Sequence, residues 1–268
     1  MEQQRFIDLG GQVAVVTGAS GGFGAVTARA LAKAGAGVVL VGRSGERLRP
    51  LAEEIGDSAS IIEGNVSREG EPERIVRRAV EERGRLDTLV NNAGGASVGG
   101  LMDLGDETWK ADIDLKLLGY MRMMRAAAKV MRERGGGRIG GGRIVNVVGL
   151  AGHKPYHLLT VPSVVNAGLL ALTKSAADEL AADGVLVNAV NPNAADTGLG
   201  DRMIEELAAA QGVSGKEVRE YLVGATPLGR LARPEDVAAA VLFYASGLSG
   251  FVTGTSLTID GGAHRAIA

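Results

Sequence analysis

Cysteine is absent from the chain, which excludes disulfides, thiolate metal sites and a cysteine nucleophile. Histidine is scarce: His153, His157 and His264 are the whole supply, too few and too scattered for a multi-histidine metal site. No basic block stands out and the net charge is −2, so neither nucleic acid nor an anionic membrane is expected as the main partner. The opening segment MEQQRFIDLGG has no apolar signal core, and no apolar run reaches membrane-spanning length. The expectation is a soluble, cytoplasmic protein without a metal. What remains is ordinary globular composition, 46% hydrophobic and 22% charged over 268 residues, enough for one α/β domain with a full core.

The chain is organised around VAVVTGASGGFG, Val13 to Gly24. Val13–Val16 form a short apolar strand, the glycines a turn, and an alanine-rich helical pattern follows over 25–34. A strand, a glycine turn and a helix N-terminus in that order make an anion site. The backbone can approach a pyrophosphate closely, and free N–H groups with the helix dipole favour its charge. Glycine turns join many strands to helices, so this motif needs its context.

Further strands are expected at 38–41, 59–62, 86–90, 143–148, 185–190 and 256–259. Helices are expected from Pro72 to Arg83, from Asp106 (as N-cap) to Arg132, from Pro162 to Ala182 and from Pro234 to Ala245. Residues 198–226, polar and helical in patches, are expected to form a lid; Met203, Ile204, Leu207, Tyr221 and Leu222 there suggest an apolar ligand. This alternation gives a doubly wound α/β fold: a parallel sheet of about seven strands with helices on both faces. The glycine turn, Asn91-Asn92-Ala93-Gly94, the end of the fifth strand and Asn191-Pro192 all fall at carboxyl ends of strands, where such sheets bind ligands. At the end of the second strand the carboxylate that would bind a ribose 2′-hydroxyl is missing and Arg43 is present. A cation there suits a 2′-phosphate, so NADP(H) is expected over NAD(H). Gly-Gly-Gly-Arg-Ile occurs twice in succession over 135–144, which fits a slack loop or a local duplication.

These markers together resemble the short-chain dehydrogenase/reductase family across nearly the whole chain. Thr17-Gly18 through Ser20, Gly22, Phe23 and Gly24 looks like its cofactor turn. Asn65-Val66 is similar to its adenine contact, and Asn92, Ala93 and Gly94 belong to its NNAG run. Pro192 and Thr197 stand where the family has a Pro-Gly turn and a nicotinamide-contacting Thr. Gly229-Arg230-Leu231, Pro234 to Ala238 and Thr253-Gly254 through Gly262 resemble its C-terminal signature. The resemblance implies one Rossmann-type domain over 1–268, a homotetramer or homodimer, and hydride transfer between a nicotinamide and a small carbonyl or alcohol substrate.

The family works with an Asn, a Ser, a Tyr and a Lys. Counted from local landmarks, those four positions hold Lys116, Gly149, Pro162 and Asn166. Hydride arriving at a carbonyl leaves an alkoxide that needs a proton. Proline has no donor and glycine no side chain, and a positioned acid is worth ~10²–10⁴ in rate. Asn166 can still hydrogen-bond a ribose hydroxyl, and Thr160 could cap the helix that holds Pro162. Lys116 leads the candidate replacement acids, because a partly buried Lys donates or accepts near neutrality. The bland alternative is a Lys that fills space or points to water. Tyr156, His157 and His153, in the adjoining loop, follow; Ser163 and Asp196 are weaker. Three functions fit: an NADP(H)-dependent oxidoreductase with a rebuilt acid, a non-redox isomerase, cyclase or lyase on the same scaffold, or a silent cofactor-binding subunit paired with an active homologue.

Overall fold

The computed structural model describes residues 7–135 and 141–265. The chain alternates strands and helices from its start. β1 (Val13–Thr17), α1 (Gly22–Lys33), β2 (Gly37–Gly42), α2 (Gly45–Ile55), β3 (Ala59–Glu63), α3 (Glu71–Arg83) and β4 (Thr88–Asn91) make the first half. α4 (Asp106–Asp112), a π-helical segment (Ile113–Leu118), α5 (Gly119–Gly135), β5 (Gly142–Val147), α6 (Thr160–Leu180) and β6 (Val185–Pro192) follow. α7 (Gly198–Gln211), α8 (Gly215–Gly224), α9 (Pro234–Ala245) and β7 (Ser256–Ile259) complete it.

All seven strands are parallel in one sheet of order β3-β2-β1-β4-β5-β6-β7. Every residue of β1, β4 and β6 is buried, as parallel strands covered on both faces require. Val16 lies beside Leu40 on one side and Val90 on the other. Alternate side chains feed two cores. Val16, Val38, Leu40 and Val90 pack with Leu31 of α1 and Val237 and Val241 of α9, while Val15, Val39, Leu89 and Ile144 pack with Ile75 of α3 and Met123 and Met131 of α5. The order reverses at β1, because β2 and β4 flank it, so the crevice for a ligand opens at the carboxyl ends of β1 and β4.

Several boundaries differ from the expectation for local reasons. The stretch before β3 holds a helix, α2, that was not expected; Leu48 and Leu51 supply its buried stripe despite the internal Pro50. The helix expected over 106–132 is interrupted by the π turn, where the Gly119 N–H reaches back to the Asp114 carbonyl. Gly105, not Asp106, is the N-cap of α4; Asp106 and Glu107 sit inside its first turn, where their charge favours the helix dipole. Of the Gly-Gly-Gly-Arg-Ile repeat, 136–140 lie outside the described residues, and the second copy ends in β5. No described helix is long and apolar enough to cross a membrane.

Candidate active site

The glycine turn is held in place by the NNAG run. The Thr17 hydroxyl accepts from the Asn92 and Ala93 amides at 2.9 and 3.1 Å, and the Asn92 amide nitrogen donates to the Thr17 and Gly18 carbonyls at 3.0 and 3.1 Å. Gly18 has φ +64, and a Cβ there would lie 2.8 Å from the Ala93 backbone. A Cβ on Gly24 would meet the Gly18 carbonyl, so α1 packs tightly on the turn. Gly21 has open space above it. This cradle is made of backbone, and only glycine leaves room for it.

One large cleft runs from this cradle across the sheet's carboxyl ends. Gly18, Ser20, Gly22 and Phe23 line it beside Arg43 from β2 and Asn65 and Val66 after β3. Asn92, Ala93 and Gly94 from β4, and Pro192 and Thr197 after β6, face the same space. Gly24 supports the turn from behind. Asn65 is tied into its loop, its side-chain oxygen accepting from the Ser67 amide and hydroxyl. The Thr197 hydroxyl caps α7 by accepting from the Gly200 amide at 3.0 Å. Arg47, in the first turn of α2, joins Arg43; it was overlooked because α2 was.

The other half of the cleft is built by β5, α6 and the π segment. Lys116 lies in that segment, its stem packed beneath Gly94 and its ammonium donating to the Val148 carbonyl. Burial pulls its pKa down to about 8, with Asp112 opposing the shift. One turn further, Tyr120 is buried and donates its hydroxyl to the Val147 carbonyl at 3.1 Å; burial pushes its pKa up, so it stays neutral. The last carbonyl of β5 and the one after it are thus taken by two side chains of one helical turn. The spacing of four from Lys116 was the available signal for Tyr120.

Gly149 follows β5 with φ +128, where L side chains are strained, and a Cβ there would lie 3.0 Å from the Asn166 amide nitrogen. Asn166 is 4% exposed, and its side-chain oxygen is buried without a partner. Pro162 is the third residue of α6, where a missing N–H costs little. Thr160 does not cap that helix: its hydroxyl donates to the His157 carbonyl, and Leu159 is the N-cap. Tyr156 and Pro162 line the cleft. His157 is not among the lining residues; its ring packs on Tyr156 with centroids 4.6 Å apart. His153 is likewise outside, bonded to the Ser256 hydroxyl at 2.9 Å. Ser163 donates to the Leu159 carbonyl, and Asp196 is ion-paired with Arg219. Over the cleft, α7 and α8 present Met203, Leu207, Tyr221 and Leu222 as an apolar wall.

The donors and shapes in this cleft fit a dinucleotide: open space at Gly21, cations just after the second strand, and a buried unpartnered amide oxygen at Asn166. Among the described residues no group of three or more His, Asp or Glu is placed to hold a metal.

Comparison with known proteins agrees in extent and in fold. A family model described as enoyl-(acyl carrier protein) reductase matches residues 18–264. The cis-4-hydroxycyclohexanecarboxylate dehydrogenase of Sinomonas cyclohexanicum is 38% identical over 255 residues, covering 94% of this chain and 96% of its own. The (S)-acetoin-forming diacetyl reductase of Staphylococcus epidermidis is 33% identical, with 94% and 98% covered. The crystal structure of an actinorhodin polyketide ketoreductase with NADPH superposes with TM-score 0.88 at 32% identity, covering 94% and 97% of the two chains. A 3-ketoacyl-(acyl-carrier-protein) reductase from Brucella melitensis, complexed with NADH, gives 0.85 at 30% identity, with 96% and 99% covered. With the seven-stranded order, the NNAG-braced glycine turn and a match along nearly its whole length, the chain belongs to the short-chain dehydrogenase/reductase family.

Proposed function

We propose that the protein is an NADP(H)-dependent oxidoreductase that interconverts a carbonyl and an alcohol on a small, largely apolar substrate, with Lys116 in place of the usual acid. The observation that carries this is the position of Lys116: a half-buried side chain whose ammonium is anchored by the Val148 carbonyl, in the same cleft as the glycine cradle. The Sinomonas and Staphylococcus relatives are named for an alcohol dehydrogenation and a ketone reduction, two directions of one kind of chemistry.

Gly18, Ser20, Gly22 and Phe23 would receive the pyrophosphate, and Arg43 with Arg47 a 2′-phosphate, by charge and by free backbone donors. Asn65 and Val66 would flank the adenine, and the Asn166 amide would meet a ribose hydroxyl. Asn92, Ala93, Gly94, Pro192 and Thr197 would border the rest. When bound, the nicotinamide supplies or accepts the hydride. Lys116 then handles the proton. An ammonium has three N–H donors and one is held by Val148, which leaves two for the substrate oxygen. With a pKa of about 8 it is mostly charged at neutral pH yet weak enough in its hold on the proton to donate it to a forming alkoxide. The lost proton returns from solvent. Tyr156 at the cleft wall is the second candidate donor; His157 would act only through Tyr156, on which it packs. Helices α7 and α8 act as a lid that keeps water from the reacting carbonyl.

The experiment is a fluorescence titration with NADPH and NADH followed by a carbonyl panel. Tight NADPH binding and carbonyl-dependent NADPH oxidation that collapses in Lys116→Met support the assignment. Tight binding with no turnover across the panel overturns it and favours the non-redox or silent-subunit alternatives.

A further inference from the structure

The cleft is strongly cationic. Its charged lining is Arg43, Arg47, Lys116, Lys154 and Arg202 against a single acid, Glu217, in a chain whose net charge is −2. One oxygen of Glu217 is already engaged by the Ser214 amide and hydroxyl. The cations fall into two groups on either side of the glycine turn. Arg43 and Arg47 stand at β2, while Lys154 follows β5 and Arg202 follows β6. Three strand steps separate β2 from β5 and four separate it from β6. The two groups therefore enter the cleft from opposite sides of the glycine turn in the strand order.

The second group is also left unneutralised by its neighbours. Asp196 and Asp201, the acids closest to Arg202 in sequence on its N-terminal side, are both claimed by Arg219. The Arg202 side chain makes no hydrogen bond or ion pair with another described residue. The Lys154 ammonium has one long contact, 3.4 Å, to the Ala263 carbonyl and no carboxylate. The same cleft is lined by the apolar side chains of Met203, Leu207, Tyr221 and Leu222.

Resting on the oxidoreductase assignment above, we infer that the substrate is an amphipathic anion, an apolar oxo- or hydroxy-acid whose carboxylate is held by Arg202 and Lys154 while its carbonyl or alcohol lies at Lys116. The apolar wall takes the carbon skeleton, and the two cations fix its far end, so that the reacting carbon is presented in one orientation. A neutral analogue of the same shape loses that anchor.

The test compares 4-oxocyclohexanecarboxylate with its methyl ester as substrates with NADPH, alongside calorimetric titration of the acid into the protein. The acid is expected to exceed the ester in kcat/KM by about tenfold or more, the scale of a partly exposed charge-assisted hydrogen bond. That ratio should shrink as salt is raised. It should fall toward one in Arg202→Ala and in Lys154→Ala and invert in Arg202→Glu. Lys33→Ala, in the last turn of α1 and outside the cleft, should keep it. A ratio near one in the unmodified protein, or one that survives both alanine variants, overturns the inference. Should neither compound be reduced while calorimetry shows acid binding that Arg202→Ala abolishes, the redox assignment fails and the anion site stands. No calorimetric binding of the acid overturns the anion site even if the ester is reduced.

Discussion

The two halves of the cleft are built from different materials. The half over β1, β2 and β4 is mostly backbone, with Arg43, Arg47 and Asn65 at its margin: glycines at positive φ, amides fixed by Thr17 and Asn92, and carbonyls already paired. The half over β5 and α6 is side chain: Lys116, Tyr120, Tyr156 and Asn166 around a Gly149 that contributes no group of its own. Backbone sites depend on the fold and survive as long as it does. Side-chain sites change one residue at a time, and a helix start such as Pro162 accepts the change without structural cost. Under the proposed function this contrast would put cofactor binding and proton delivery under separate control, and three variants probe it.

The largest effect is expected from Lys116→Met. Removal of a positioned acid should lower kcat by ~10²–10⁴, while the NADPH dissociation constant, measured by fluorescence, stays within about threefold. A parallel loss of cofactor binding would show that the two halves are not separable. Next is Arg43→Ala, which removes a cation from the other half. It should weaken NADPH by about tenfold and leave NADH nearly unchanged; equal weakening of both would remove the 2′-phosphate from the account. Gly149→Ser should not restore a conventional donor. With φ +128 and Asn166 at 3.0 Å from the new Cβ, it should cost roughly 1–3 kcal/mol in denaturant unfolding and leave turnover no higher. A gain in rate there would mean that the second half is a damaged site, not a rebuilt one.

A separate effect is on stability against pH. The folded pKa of Lys116, about 8, lies below that of an unfolded lysine, near 10.4. Between these values the unfolded chain binds more protons, so stability rises with pH across about 8 to 10 and is flat for this group below 8. Lys116→Met should erase that rise, which denaturation at pH 7.5 and 9.5 would detect.

The sequence made the first half legible and left much of the second dark. Apolar runs such as Val13–Val16 and Val185–Val190 mark buried strands, and glycine spacing marks a turn that only glycine can make. The seven strands and the convergence of Gly18, Asn92 and Pro192 followed from those signals alone. The π turn did not, because Ile113 to Met131 keeps an unbroken helical pattern; the break ends at Gly119, which lies close against the Val66 carbonyl. The α2 helix was hidden by Pro50. Arg47, Lys154 and Arg202 look like solvated charges in sequence, since hydrophobic periodicity reports what is buried and not which exposed cation faces a cleft. Whether Thr197 caps a helix or faces a ligand is likewise a matter of geometry; here it does the first and borders the cleft as well.

The most direct test of the central claim is the pH dependence of carbonyl reduction between pH 6.5 and 9.5 at saturating NADPH, in the unmodified protein and in Lys116→Met. The account predicts a rate that falls as pH rises through about 8, where the Lys116 ammonium loses its proton, and a variant whose small residual rate lacks that inflection. A profile flat through pH 8, or one with the same inflection after Lys116 is replaced, would contradict it.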